Sequence, residues 1–179
     1  MQKIVLQYPM VIAIGGVSRS GKTFLADTLY THIKNSVIIH QDEYIVAENQ
    51  LPVINDHINW EIPEAIDWAG FLNAINNAMA SGKSVIAEGL MVFQLPEFNK
   101  LIQKAIFITL SRETFISRKR ADLRWGKEPD WYISHIWDSY LIFGQVPDSV
   151  KDVLILDGET SFDTEHILNF LKLPASPKS

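Results

Sequence analysis

Val11-Ile12-Ala13-Ile14-Gly15-Gly16-Val17-Ser18-Arg19-Ser20-Gly21-Lys22-Thr23 is the stretch on which the fold turns. Its first four residues are apolar and mostly β-branched, as a strand buried on both faces requires. Gly16 to Thr23 then matches the spacing G-x-x-x-x-G-K-[ST] in full, the pattern of a phosphate-binding P-loop. The glycines let successive backbone N–H groups turn inward around phosphate, and a helix opening at Lys22 adds its positive end. Lys22 then reaches the β and γ phosphates, and the Thr23 hydroxyl is a magnesium ligand. On this reading Gly16, Val17, Ser18, Arg19, Ser20, Gly21, Lys22 and Thr23 hold ATP, and Lys22 also serves catalysis.

Working outward, short apolar runs recur at 37–40, 84–88, 106–110 and 153–156, each uninterrupted by polar alternation until its end. Helical spacing separates them over Lys22 to Lys34, Pro63 to Ala80, Arg112 to Arg124 and Asp163 to Leu171. Five strands alternating with helices imply right-handed crossovers and an α/β three-layer sandwich, with ligands at the carboxyl ends of a parallel sheet. No repeat, charge block or linker interrupts the pattern, so residues 1–173 read as one domain. Residues 174–179, with Pro174 and Pro177, read as a frayed tail.

Composition narrows the function. The chain has 179 residues, 47% of them hydrophobic, with 21 acidic against 16 basic side chains and a formal charge of -5. A net acidic chain is ill-suited to nucleic acid or anionic membranes, which are held by excess Lys and Arg. Zero cysteines remove thiol nucleophiles, thiolate zinc sites and iron–sulfur clusters, and the five histidines show no ligand spacing. No apolar run approaches the roughly 18 residues of a membrane span, and no leader is visible at Met1, which makes a cytoplasmic location the expectation.

Among P-loop classes, a GTPase needs an N-K-x-D base reader, and the Asn99-Lys100 pair continues Leu101-Ile102. Asp67-Trp68-Ala69-Gly70 matches D-x-x-G but falls in a helical stretch and not after a strand, so it reads as chance. Motor and transporter ATPases need further domains. Small-molecule kinases remain.

Four more segments sharpen this: Gln41-Asp42-Glu43-Tyr44 after the second strand, Trp60-Glu61 followed by Ile62-Pro63-Glu64-Ala65-Ile66-Asp67-Trp68, Ile86-Ala87-Glu88-Gly89-Leu90 at the third strand's end, and the basic run from Arg112 to Lys127. With the P-loop they resemble the nicotinamide riboside kinase and uridine kinase family of nucleoside kinases. Ser134-His135-Ile136-Trp137 and Leu156-Asp157-Gly158 are similar to two further segments of that family. The resemblance implies a sheet ordered 2-3-1-4-5 and a short lid near 118–131.

It also implies roles. Asp42 takes the proton of a 5'-hydroxyl as that oxygen attacks the γ-phosphate. Tyr44 and Asp42 line the substrate side, Trp60 offers a flat face to the base, and Glu61 bonds ribose hydroxyls. Here the aromatic is Trp and the acid Glu, where the family carries Tyr or Phe and Asp. Glu88 joins Thr23 in holding magnesium. Arg118 meets ATP, while Arg120 and Arg124, which share a helix face at i, i+4, close over the transferring phosphoryl group. His135 stays outside the catalytic set. ATP and Mg2+ are the implied cofactors, and a small-molecule nucleoside is the implied partner, with nicotinamide riboside first and uridine or cytidine as the alternative. From another class, the chain is a catalytically silent nucleotide-binding regulator. The intact set Lys22, Thr23, Asp42 and Glu88 argues against that.

Overall fold

The computed structural model describes Ile4, Leu6 and residues 8–124 and 126–172. In chain order it forms β1 (Val11–Gly16), α1 (Lys22–His32), β2 (Ser36–His40), a small hairpin of β3 (Val53–Ile54) and β4 (His57–Ile58), α2 (Trp68–Ala80), β5 (Ser84–Gly89), α3 (Pro96–Asn99), β6 (Ile102–Thr109), α4 (Arg112–Ala121), α5 (Asp130–Phe143), β7 (Val153–Asp157) and α6 (Thr164–Lys172). Five strands make one parallel sheet in the order β2-β5-β1-β6-β7. This is the predicted order, 2-3-1-4-5, once the hairpin strands are left out of the count.

Alternation along the strands sends side chains to two separate cores. Val11, Ala13, Val85, Ala87, Ala105 and Phe107 meet Phe71 and Ile75 of α2, Phe115 of α4, and Ile133, Ile136 and Tyr140 of α5. Ile12, Ile14, Ile86, Ile106 and Ile108 meet Leu25 and Leu29 of α1 and Ile167 and Leu171 of α6. Because both faces are covered, the strands read as continuous apolar runs. The P-loop follows the carboxyl end of β1, the central strand, which is buried along its whole length.

Several boundaries differ from the sequence reading. The helix expected from Pro63 begins at Trp68: Pro63–Ala65 is a separate 3-10 turn, and the Asp67 carboxylate caps α2 by accepting from Gly70 N at 3.0 Å. Asp67 and Gly70 of the D-x-x-G match are therefore partners in a helix cap. The helix expected to end at Lys34 stops at His32, where Ile33 turns extended and the Lys34 amide donates to Ile4 O at 2.9 Å.

α4 stops at Ala121 because extended Asp122 interrupts it, and the Asp122 carboxylate accepts from the Arg124 backbone at 3.3 Å. Arg124 thus lies beyond the helix, and the expectation that Arg120 and Arg124 share one helix face does not hold. α5 was not expected as a helix, although Tyr132, Ile133, Ile136 and Tyr140 fall at helical spacing and are buried. The tail at 174–179 lies outside the described residues. No helix among the described residues is long and apolar enough to cross a membrane.

Candidate active site

The loop from Gly16 to Gly21 links β1 to α1 and closes on itself, with Ser20 N donating to Val17 O at 3.2 Å. Its curvature demands left-handed backbone at Gly16 (φ 147), Arg19 (φ 66) and Gly21 (φ 102). A Cβ on Gly16 would stand 2.5 Å from Ile108 O, so glycine is needed there for space as well as for φ. Gly158, after β7, approaches the same loop, where a Cβ would meet Ser20 O at 2.7 Å. Lys22 is buried and its Nζ donates to Val17 O at 3.0 Å, curled over the loop it serves. Burial lowers its pKa, and Glu88, Asp42 and Glu61 oppose that shift.

Strand register sets the acids around it. Ile14 of β1 and His40 of β2 both pair with Glu88 of β5, which brings the three strand ends together. Glu88 Oε1 accepts from Thr23 Oγ1 at 3.0 Å and lies 2.8 Å from His40 Nδ1. One buried carboxylate and one hydroxyl, both oxygen donors, fit a magnesium ion that keeps water and phosphate as its other ligands. No group of three or more acidic or histidine side chains among the described residues is arranged as an all-protein metal cage.

β2 ends in a 3-10 turn, Gln41–Glu43, that carries Asp42. Gln41 anchors the turn: its Oε1 accepts from Met91 N at 3.0 Å, and Gly89 leaves room for that amide by lacking a Cβ. Asp42 opens onto a cleft of about 650 Å³ whose walls include Ser18, Lys22, Trp60, Glu61, Lys119 and Arg124. Desolvation pushes the Asp42 carboxyl upward and Glu88 adds to it, while Lys22 pulls the other way.

Trp60 and Glu61 reach this cleft from the segment before α2. Asn59 Oδ1 accepts from Glu61 N at 3.2 Å and lies 2.8 Å from His135 Nε2, so His135 of α5 positions the segment. Tyr132 of α5 and His57 of the hairpin, stacked with centroids 5.5 Å apart, add aromatic wall. Glu61 is pushed up to about 7 chiefly by burial, against the pull of Lys119 and with a contribution from Asp42 and Glu128.

This shift carries a stability consequence. The folded state holds the Glu61 proton more tightly than the unfolded chain between 4.5 and about 7. Stability from this group is therefore full below 4.5, declines as pH rises toward 7 and is flat above. Glu61→Gln is expected to abolish that decline and to exceed the wild type above pH 7 by at most about 3 kcal/mol. Thermal unfolding of both proteins across that pH range checks it.

The basic segment divides. Arg118 donates to Arg19 O at 3.1 Å and so touches the P-loop. Asp122 links the P-loop to the segment after α4: it lies 3.5 Å from Arg19 and takes Arg124 at 2.8 and 2.7 Å, and those hydrogen bonds from Arg124 hold its carboxyl far below the usual range. Arg124 also lines the cleft. Arg120 does not; it turns to Asp130 at 3.0 Å on the exposed surface. Tyr44 sets its ring edge-on to Phe71 at 5.6 Å, against α2 and outside the cleft lining. Lys119, Glu128, Tyr132 and His57 line the cleft without having been singled out as site residues. For Lys119 the signal was its membership of the basic run.

No family model matches the chain. Nicotinamide riboside kinase 1 of Mus musculus is 28% identical over 171 residues, covering 84% of this chain and 87% of the relative. Among solved structures, a possible uridine kinase from Bacillus stearothermophilus superposes with a TM-score of 0.51 at 16% identity, over 84% of this chain and 91% of that one. Over most of its length the chain is thus similar in sequence to nicotinamide riboside kinases, and it shares the fold of the solved kinases. A gluconokinase from Sinorhizobium meliloti shares the fold as well, with a TM-score of 0.55 and 16% identity over 92% and 90% of the two chains. Sequence relatives and structural neighbours alike are kinases, which supports a phosphotransferase with an alcohol acceptor, a nucleoside or sugar kinase.

Proposed function

We propose that this kinase transfers the γ-phosphoryl group of ATP to the 5'-hydroxyl of a nucleoside, with nicotinamide riboside as the preferred acceptor. The observation that carries the reading is the acceptor half of the cleft. The aromatic rings of Trp60, Tyr132 and His57 line it, and Asp42, Glu48, Glu61 and Glu128 outnumber Lys119 and Lys127, while Lys22 and Arg124 belong to the phosphate end. A pyridinium ring gains a cation–π term of about 0.5–2 kcal/mol over an aromatic face, which neutral uracil lacks. A carboxylate surplus favours the same cation.

In this mechanism the loop amides and Lys22 bind the phosphates, and Asp42 accepts the 5'-hydroxyl proton as the new O–P bond forms and the bond from the γ-phosphorus to the β–γ bridging oxygen breaks. Thr23 and Glu88 would hold magnesium, which would supply neutralisation of phosphate charge. Trp60 and Glu61 orient base and ribose, and Arg124, released from Asp122, neutralises developing charge on the transferring group. The Phe24–Phe162 pair and Gly158 border the P-loop on the side where we place adenine.

The test is ADP release with ATP and magnesium against nicotinamide riboside, uridine, cytidine, adenosine and ribose, with product masses confirmed. The expected result is the highest kcat/KM for nicotinamide riboside. Preference for uridine or cytidine overturns the pyridinium assignment, and ATP binding without transfer to any acceptor returns the regulator reading.

A further inference from the structure

β2 and β5 run side by side and parallel, and their register sets His40 opposite Glu88. Residues so paired on neighbouring strands project from the same face of the sheet, so the two side chains meet. On its other flank Glu88 pairs with Ile14, which is apolar and fully buried. Within the sheet, therefore, the polar neighbour of Glu88 is His40. Its Nδ1 lies 2.8 Å from Glu88 Oε1, and Thr23 of α1 donates its hydroxyl to the same oxygen at 3.0 Å.

The Glu88 side chain is 6% exposed and that of His40 27%. An ionised carboxylate only accepts, so the contact requires the hydrogen to be on Nδ1. A carboxylate with one donor still turns about its last bond. Two donors brought by different elements, α1 and β2, hold its plane and leave Oε2 outside both contacts. Burial alone asks only that the carboxylate be bonded, which Thr23 already achieves. Thr23, however, is also one of the two residues that would hold magnesium. His40 is the partner of Glu88 that has no part in holding the ion.

We propose that His40 is a positioning residue for the magnesium site: its Nδ1–H donates to Glu88 Oε1 and holds that carboxylate in place for the ion. This rests on the magnesium role given above to Thr23 and Glu88, and on no choice of acceptor. A residue of this kind acts through the ligand it orients, and its loss costs about 10–100-fold in metal affinity or activity.

Two measurements test it. In the metal-free and nucleotide-free wild type, nitrogen NMR of labelled histidine rings should show a proton on Nδ1 of His40, whether the ring is neutral or charged. A bare Nδ1 overturns the proposal. The second measurement is calorimetric binding of a non-hydrolysable ATP analogue with and without magnesium, for wild type, His40→Ala and His40→Asn. The ratio of the two affinities is the coupling between metal and nucleotide. His40→Ala should lower that ratio about tenfold or more while leaving the metal-free affinity within about twofold, a split that general damage to the fold would not produce. His40→Asn places an amide N–H where Nδ1–H stood and should return the ratio to within about threefold of the wild type. An unchanged ratio in His40→Ala overturns the proposal, and so does an equal loss in both variants, because the ring and not its hydrogen bond would then matter. A wild type in which magnesium does not tighten binding sinks the magnesium reading and the proposal with it. No acceptor enters either measurement, so a wild-type preference for uridine sinks the nicotinamide riboside reading and leaves this result standing.

Discussion

Asp42→Asn is expected to lower kcat by about 10²–10⁴-fold while ATP still binds. Asparagine keeps the shape of the side chain at the end of β2 but cannot accept the 5'-hydroxyl proton. Its neighbouring carboxylates are otherwise engaged: Glu88 is committed to Thr23 and His40, and Glu61 is assigned to the sugar. Asp42 is a stronger base than a solvated aspartate because desolvation and Glu88 raise its carboxyl. The acid limb of kcat/KM in the wild type should accordingly lie above the usual aspartate range, and the variant should lack it. Turnover with the best acceptor and calorimetric ATP binding, measured side by side, check this. A variant within tenfold of wild type would remove Asp42 as general base.

What was legible in the sequence is what a short stretch decides. The P-loop, Asp42 and Glu88 follow β1, β2 and β5 directly or end them, so the apolar run that announces each strand also announces where its end chemistry must stand. The strand order followed from resemblance, and the two cores then followed from alternation. Glu128, Tyr132 and His57 were not legible as cleft residues, because each reaches it from a different element, and only the packing of α5 and the hairpin against the sheet brings them near Glu61. The basic segment misled for a different physical reason. Arg112 to Arg124 has unbroken helical character by composition, but the Asp122 carboxylate competes for the backbone amide and guanidinium of Arg124 and ends α4 at Ala121. A cap made by tertiary partners, Arg19 included, is invisible to spacing along the chain.

Lys22→Met separates binding from chemistry less cleanly than Asp42→Asn and should be at least as damaging. Methionine fills much the same buried volume but removes the charge that faces both the phosphates and three carboxylates, Glu88, Asp42 and Glu61. Removing a preorganised cation aimed at developing phosphoryl charge costs about 10²–10³-fold in kcat, and loss of the ground-state phosphate contact adds a weaker ATP affinity. A second signature distinguishes this from simple damage. Lys22 is the largest influence holding the Asp42 carboxyl down, so the residual activity of Lys22→Met should show its acid limb displaced to higher pH than in the wild type. Lys22→Arg keeps the charge and should preserve the limb, yet a planar guanidinium does not replace an ammonium that curls onto Val17 O at 3.0 Å, so turnover should still fall. Residual rates across pH for the three proteins check both points. An unshifted limb in Lys22→Met would mean that Lys22 and Asp42 are not electrostatically coupled across the cleft, and the pairing of phosphate clamp and general base would fail with it.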